Sequence, residues 1–172
     1  MDNKIKKIII GFFIIGSIVA LDQYIKNRIV KNMAVGEQIP VINDILSITY
    51  RQNTGLAFSL FESSPSVIFI LLSCIIIVGL FFFLRPYFKY GWTVIFGSFV
   101  IGGAVGNLID RIWRFDNILG KNFVVDYIEF NFFPTFNLAD IFISCGVFLL
   151  VFYIIYIERK LFLDENNKER EC

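Results

Sequence analysis

The sequence predicts a membrane all-α bundle of four transmembrane helices, with a small extracytoplasmic β-containing element. Three observations lead there. Of the 172 residues 56% are hydrophobic, and the mean hydropathy is +0.68, well above an ordinary soluble domain of this size. Four runs, at about 7–25, 65–84, 93–110 and 138–157, each come close to the ~20 apolar residues a helix needs to cross the hydrocarbon core. Between the first two, Gln38 to Tyr50 is rich in β-branched residues with partial alternation, the mark of short strands.

Taken in order, the chain opens on Lys4, Lys6 and Lys7, and an uncharged run follows up to Asp22. A cleaved secretory signal competes here, because the basic start and Ser17-Ile18-Val19-Ala20 resemble its parts. Counted to Ile25, the run is long enough to span, so a retained helix is expected. Residues 26–64 form the first outer loop, with strands expected at 38–42 and 45–50. Arg51-Gln52-Asn53-Thr54-Gly55 reads as a turn or tight loop. Pro65 opens the second span in its first turn, where a missing N–H costs little. Arg85 to Trp92 is a short basic, aromatic turn, suited to a cytoplasmic interface. In the third span Ser98, Gly102 and Gly106 recur every fourth residue, a small-residue stripe for close helix packing. Residues 111–137 make a second outer loop, with Trp113, Phe115 and Phe123 as interface anchors, and residues 158–172 a charged cytoplasmic tail. No long repeat or second domain interrupts residues 1–172.

Lys and Arg near the span ends set the orientation. Lys4, Lys6, Lys7, Arg85, Lys89, Arg159 and Lys160 fall on one side of a four-span protein, which puts both termini in the cytoplasm. Cations such as Lys26, Arg28 and Arg51 on the other side make the bias imperfect. The net charge of +1 gives no basic field, so nucleic acid is not an expected partner. There is no histidine, which removes the commonest general base and zinc ligand. Cys74, Cys145 and Cys172 are widely spaced, so two buried apolar thiols and one free tail thiol are expected rather than a disulfide framework or a metal site.

Acid–base chemistry therefore falls to carboxylates. The apolar, aromatic stretch from Phe123 to Ser144 carries two, Asp126 and Asp140. Carboxylates are costly in such surroundings, so they are either satisfied structurally or used. Asn107, Asp110 and Arg111 share a helical face, Asn137 and Asp140 are three apart, Asp22 ends the first span, and Asn53 lies in the loop expected above. Structural readings stay open for most of them. Asn137 can cap a helix with Asp140 at its third position, Asp110 can pair with Arg111, and Asp22 can hold a helix end near Lys26. Asp126 has no cation beside it in sequence. Two carboxylates in a partly dry site share a proton, giving an acid and a base at one pH, as hydrolysis by an aspartyl dyad requires. A serine or cysteine nucleophile lacks a neighbouring base, and a carboxylate-only metal site shows no motif. A proton-linked transporter would instead want ionisable groups at mid-bilayer, and an assembly factor would leave the aspartates unexplained.

Five motifs in order resemble those of the bacterial lipoprotein signal peptidases, or signal peptidase II. They are Asp22-Gln23, Asn53-Thr54-Gly55-Leu56-Ala57-Phe58-Ser59, the run from Gly102 to Arg111, Val124-Val125-Asp126-Tyr127, and the run from Phe133 to Asp140. The resemblance covers nearly the whole chain. It implies a membrane-embedded aspartyl endopeptidase, without cofactor or metal, that cuts prolipoproteins before a diacylglyceryl-modified cysteine. It implies a catalytic pair at Asp126 and Asp140, a supporting shell at Asn53, Asn107, Arg111 and Asn137, and structural carboxylates at Asp22 and Asp110. It also implies an extracytoplasmic β element over the site. The expected setting is the bacterial cytoplasmic membrane, with the site near its outer face, membrane lipids around it and a monomer as the working form. Two departures stand out: Leu56 where a second Ala is common, which would narrow a contact surface, and Tyr127 where Phe is common. If Asp140 lies at a helix N-terminus, it is expected to be the more readily ionised of the pair.

Overall fold

Small residues decide how the helices meet. The computed structural model describes residues 3–55, 66–118 and 120–171. Among them, α1 (Asn3–Asn32), α2 (Ser66–Leu84), α3 (Gly91–Trp113) and α4 (Leu138–Glu171) are each long and apolar enough to cross a membrane. The central helix is α3, packed against the other three. Its Gly102 lies under Ile18 of α1, where a Cβ would come within 3.1 Å of the Ile18 Cβ, and Gly106 meets the Asp22 carboxylate. The Ser98, Gly102 and Gly106 stripe is thus the α1–α3 seam. A second seam joins α3 to α4 through Gly103 and Gly146. Most of α1, α2 and α4 faces outward with exposed Ile, Leu, Val and Phe, as lipid-facing surface does.

At one end of this bundle a four-stranded antiparallel sheet is ordered β1 (Gln38–Ile42), β2 (Leu46–Asn53), β5 (Val124–Phe130), β6 (Phe133–Phe136). A minor hairpin, β3 (Phe115–Asp116) with β4 (Lys121–Asn122), leads into β5. Tyr50, Phe123, Val125 and Tyr127 form a buried cluster that packs on Ile25, Ile29 and Met33. Ile25 and Ile29 are one helical turn apart, so the last turns of α1 are held in helix by the sheet they support.

That packing explains where expectation and structure differ. The first helix does not give way to loop after Ile25 but runs to Asn32. Arg51, Gln52 and Asn53 are not a turn: they continue β2, paired with Asp126, Val125 and Val124. The strand β5 was hidden because its first four residues are buried, so no alternation marks it. The charged tail continues α4 to Glu171, in a segment rich in good helix formers. Cys74 and Cys145 are exposed rather than buried, because in helices apolar all round the sequence does not mark the inner face. Cys172, Pro65 and the departure at Leu56 lie outside the described residues.

A Cβ on Gly103 would strike the Ala139 carbonyl oxygen and lie 2.8 Å from Ile143 Cγ1, whereas one on Gly79 meets nothing within 4 Å. Gly103→Ala is expected to lower stability by about 1–3 kcal/mol. Gly79→Ala should be neutral or stabilising by about 0.5–1 kcal/mol. Thermal melts of the purified protein in one detergent read both.

Candidate active site

One buried cation ties together the elements around the site. The Lys26 side chain is fully buried, and its three ammonium donors are all engaged: Asp22 Oδ2 at 2.9 Å, Asp110 Oδ2 at 3.0 Å and Asn107 Oδ1 at 2.7 Å. The carboxylates it neutralises reach further. Asp22 Oδ1 accepts the Ala139 N–H at 3.1 Å, on the first turn of α4. Asp110 Oδ2 accepts the Val125 N–H at 3.1 Å on β5, and its Oδ1 accepts Arg114 Nε at 2.7 Å and Gln23 Nε2 at 3.0 Å. Each of these backbone groups is next to a candidate catalytic aspartate in the chain.

Asp140 sits in a reciprocal cap. Asn137 precedes α4, its Oδ1 accepts the Asp140 N–H at 3.0 Å, and Asp140 Oδ2 accepts the Asn137 N–H at 3.1 Å. The other Asp140 oxygen accepts Asn107 Nδ2 at 2.8 Å. Asp126, on β5, accepts Asn137 Nδ2 at 2.7 Å on one oxygen and Asn53 Nδ2 at 2.9 Å on the other. Asn53 is itself oriented, since its Oδ1 accepts the Gly55 N–H at 3.0 Å. Three amides therefore turn their N–H groups to two carboxylates. Tyr127 adds a further tie, its hydroxyl oxygen accepting the Leu138 N–H at 3.1 Å.

Asp126, Asp140, Asn53, Asn107 and Arg111 all line one cavity of about 460 Å³. Its polar end lies under the sheet, and its apolar walls include Ile76 of α2, Val100 of α3 and Ile143 of α4. Burial, with the Asp140 charge adding to it, pushes the Asp126 carboxyl up to about 7 against the amides of Asn53 and Asn137. Burial also raises the Tyr127 phenol, which stays neutral. An acid that titrates near neutral pH, beside a second carboxylate on the same cavity, is equipped to give and take protons.

All eight residues singled out in the sequence gather at this end of the bundle, in two layers. Asp126, Asp140, Asn53, Asn107 and Arg111 meet the cavity, and the Asn137 side chain joins the Asp126 carboxylate to the Asp140 backbone N–H. Asp22 and Asp110 lie behind them on Lys26. Asp110 does not pair with Arg111: its charge goes to Lys26 and Arg114. Arg111 instead donates to the Gly55 carbonyl at 2.7 Å and covers the Phe69 ring, with 5.4 Å from guanidinium carbon to ring centre. The sequence reading missed the link from Lys26 to Asn107. Its only local trace was the four-residue spacing from Asp22. Among the described residues, no three His, Cys, Asp or Glu side chains are grouped as a metal ion would need.

Comparison with known proteins agrees with this architecture. The family model described as Signal peptidase (SPase) II matches residues 14–156. The lipoprotein signal peptidase of Halothermothrix orenii is 37% identical over 146 residues, covering 83% of this chain and 93% of that protein. That of Enterococcus faecalis is 34% identical over 154 residues, covering 88% and 91%. A bacterial membrane enzyme solved at 2.3 Å by the in meso method superposes with a TM-score of 0.72 at 28% identity, covering 85% of this chain and 87% of that one. A second, solved at 1.9 Å, gives 0.68 at 30% identity, covering 84% and 91%. With its four apolar helices, its small antiparallel sheet and a family match over residues 14–156, the chain belongs to the signal peptidase II family.

Proposed function

We propose that the protein is a membrane-embedded aspartyl endopeptidase that removes the signal peptide from prolipoproteins. It cuts before the diacylglyceryl-modified cysteine, with Asp126 and Asp140 as the catalytic pair. The observation that carries this reading is that both aspartates line one cavity, with the Asn137 side chain donating to the Asp126 carboxylate and accepting the Asp140 backbone N–H. Relatives named lipoprotein signal peptidase supply the substrate class.

In this mechanism Asp140 takes a proton from a water held between the carboxylates, and the water oxygen attacks the scissile carbonyl carbon. Asp126, in the protonated form that prevails below about pH 7, hydrogen-bonds the carbonyl oxygen as it gains charge. When the tetrahedral intermediate collapses, Asp140 gives the proton it took from water to the cysteine nitrogen, the C–N bond breaks, and the new N-terminal amine leaves with Asp140 ionised again. Asn53, Asn107 and Asn137 hold the carboxylates in register. Arg111 anchors the backbone at Gly55 beside the cavity. The setting is the bacterial cytoplasmic membrane, with both termini cytoplasmic, the cavity at the outer face and a monomer as the working unit. Lipid-anchored substrate then meets the site at the depth where its bond lies, and binding of its lipid positions that bond.

With purified protein in detergent and a diacylglyceryl-modified prolipoprotein, the wild type is expected to cut before the modified cysteine. Asp126→Asn and Asp140→Asn, each still folded, should lose about 10²–10⁴-fold in kcat. Near-normal cleavage by either would end the dyad reading.

The pH profile carries a second expectation. Asp126 acts in its protonated form, so kcat/KM should fall as pH rises through about 7. The Asn53 amide stabilises the ionised form, so Asn53→Ala should move that alkaline limb to higher pH. Carbon-13 carboxyl titration of Asp126 should move the same way.

A further inference from the structure

We infer that Lys26 is a positioning residue for catalysis, its ammonium fixing the Asn107 amide so that N–H and not C=O faces Asp140. The inference rests on Asp140 being a reacting carboxylate.

An Asn side chain turned over exchanges donor for acceptor with little change of shape, so its partners alone set its orientation. Asn53 and Asn137 have their oxygens held by backbone N–H groups two and three residues away, Gly55 and Asp140. Asn107 has no such local lock. It sits within α3, where backbone N–H groups serve the helix, and its oxygen accepts instead from Lys26, 81 residues earlier, at 2.7 Å. An ammonium has donors and no acceptor. With the amide reversed, NH2 would face the ammonium and the carbonyl oxygen would face Asp140 Oδ1, now 2.8 Å from Nδ2. Both contacts would be repulsive. Lys26 and an ionised Asp140 thus favour the same amide state, and Lys26 holds that state when Asp140 takes up a proton and could itself donate.

Lys26→Met alone would leave Asp22 and Asp110 buried without their shared cation, and a failure to fold would say nothing about the amide. The charge-conserving pair Asp22→Asn with Lys26→Met avoids this. Asp110 keeps Arg114 and Gln23, and the amide that replaces the Asp22 carboxylate retains an oxygen for the Ala139 N–H. The reference is Asp22→Asn alone, which retains Lys26 with Asp110 and Asn107 as its remaining acceptors.

The experiment measures melting temperature, kcat and KM for wild type, the single variant and the double variant on a diacylglyceryl-modified prolipoprotein. The expected result is a folded double variant whose kcat is lower than that of Asp22→Asn by about tenfold or more, with KM unchanged. Adding Asn107→Ala should then lower kcat no further, because the lysine acts through that amide. A folded double variant with the kcat of Asp22→Asn overturns the inference while leaving the peptidase reading intact. A wild type that never cuts overturns both. If the double variant does not fold, nitrogen-15 spectra of the wild type decide, with the Asn107 side chain assigned by its loss in Asn107→Ala. A hydrogen-bond coupling from the Lys26 ammonium nitrogen to the Asn107 side-chain carbonyl carbon supports the lock, and a Lys26 ammonium signal without that coupling overturns it.

Discussion

A lysine ammonium buried where four elements meet is the constraint on which the rest of the structure depends. Lys26 on α1 holds Asp22 of its own helix and Asp110 of α3, and those carboxylates take the N–H groups of Ala139 on α4 and Val125 on β5. A buried ion left without partners costs several kcal/mol, so the helices and the sheet can settle only where all these contacts close together. Apolar packing alone would not fix that register. Helix surfaces of Ile, Leu and Phe facing lipid slide at little cost, and the small-residue seams set distance more than rotation. The polar cluster supplies the missing specificity at the end of the bundle where the cavity opens.

The same economy governs α4. Asn137 and Asp140 cap the helix, which is a structural service, and they also bring one amide to Asp126 and one carboxylate to the cavity. The cap and the candidate catalytic site are one set of hydrogen bonds. Structural and chemical readings of Asn137 and Asp140 are therefore not rivals: the rigidity that a helix terminus needs is the rigidity a reacting pair needs. Tyr127 strengthens the arrangement by holding the Leu138 N–H from the neighbouring strand residue.

What the sequence revealed and what it concealed divide along range of interaction. Spans were legible because length and apolar content are local, and Asn107, Asp110 and Arg111 fell on one face because helical spacing is local. The cap was legible for the same reason. The continuation of α1 past Ile25 was not, since Lys26, Asn27 and Arg28 look like the start of a loop until Ile25 and Ile29 find the sheet. The extension of β2 through Asn53 depends on a partner strand more than seventy residues later. The bond from Lys26 to Asn107 is equally remote. Asp110 beside Arg111 suggested an ion pair by adjacency, yet adjacent residues on a helix point apart, and the pairs that form are Asp22 with Lys26 and Asp110 with Arg114, each four residues apart.

The cavity's shape follows from how unequally the helices are held. Polar ties join α1, α3 and α4 at the sheet end, whereas α2 packs chiefly on α3 and takes no part in the lysine cluster. The space between α2, α3 and α4 therefore stays open, with Asn107 and Asp140 at its polar end and Val100, two turns of α3 away, on its apolar wall. A ligand matched to that space carries a polar group at one end and an apolar body at the other. The substrate proposed above, a lipid-modified prolipoprotein, has that form, with a peptide bond adjoining acyl chains and an apolar signal segment. The buried cation and the open cavity are thus two results of one division of labour: three helices are fixed to hold the carboxylates, and the fourth stands apart to leave them room.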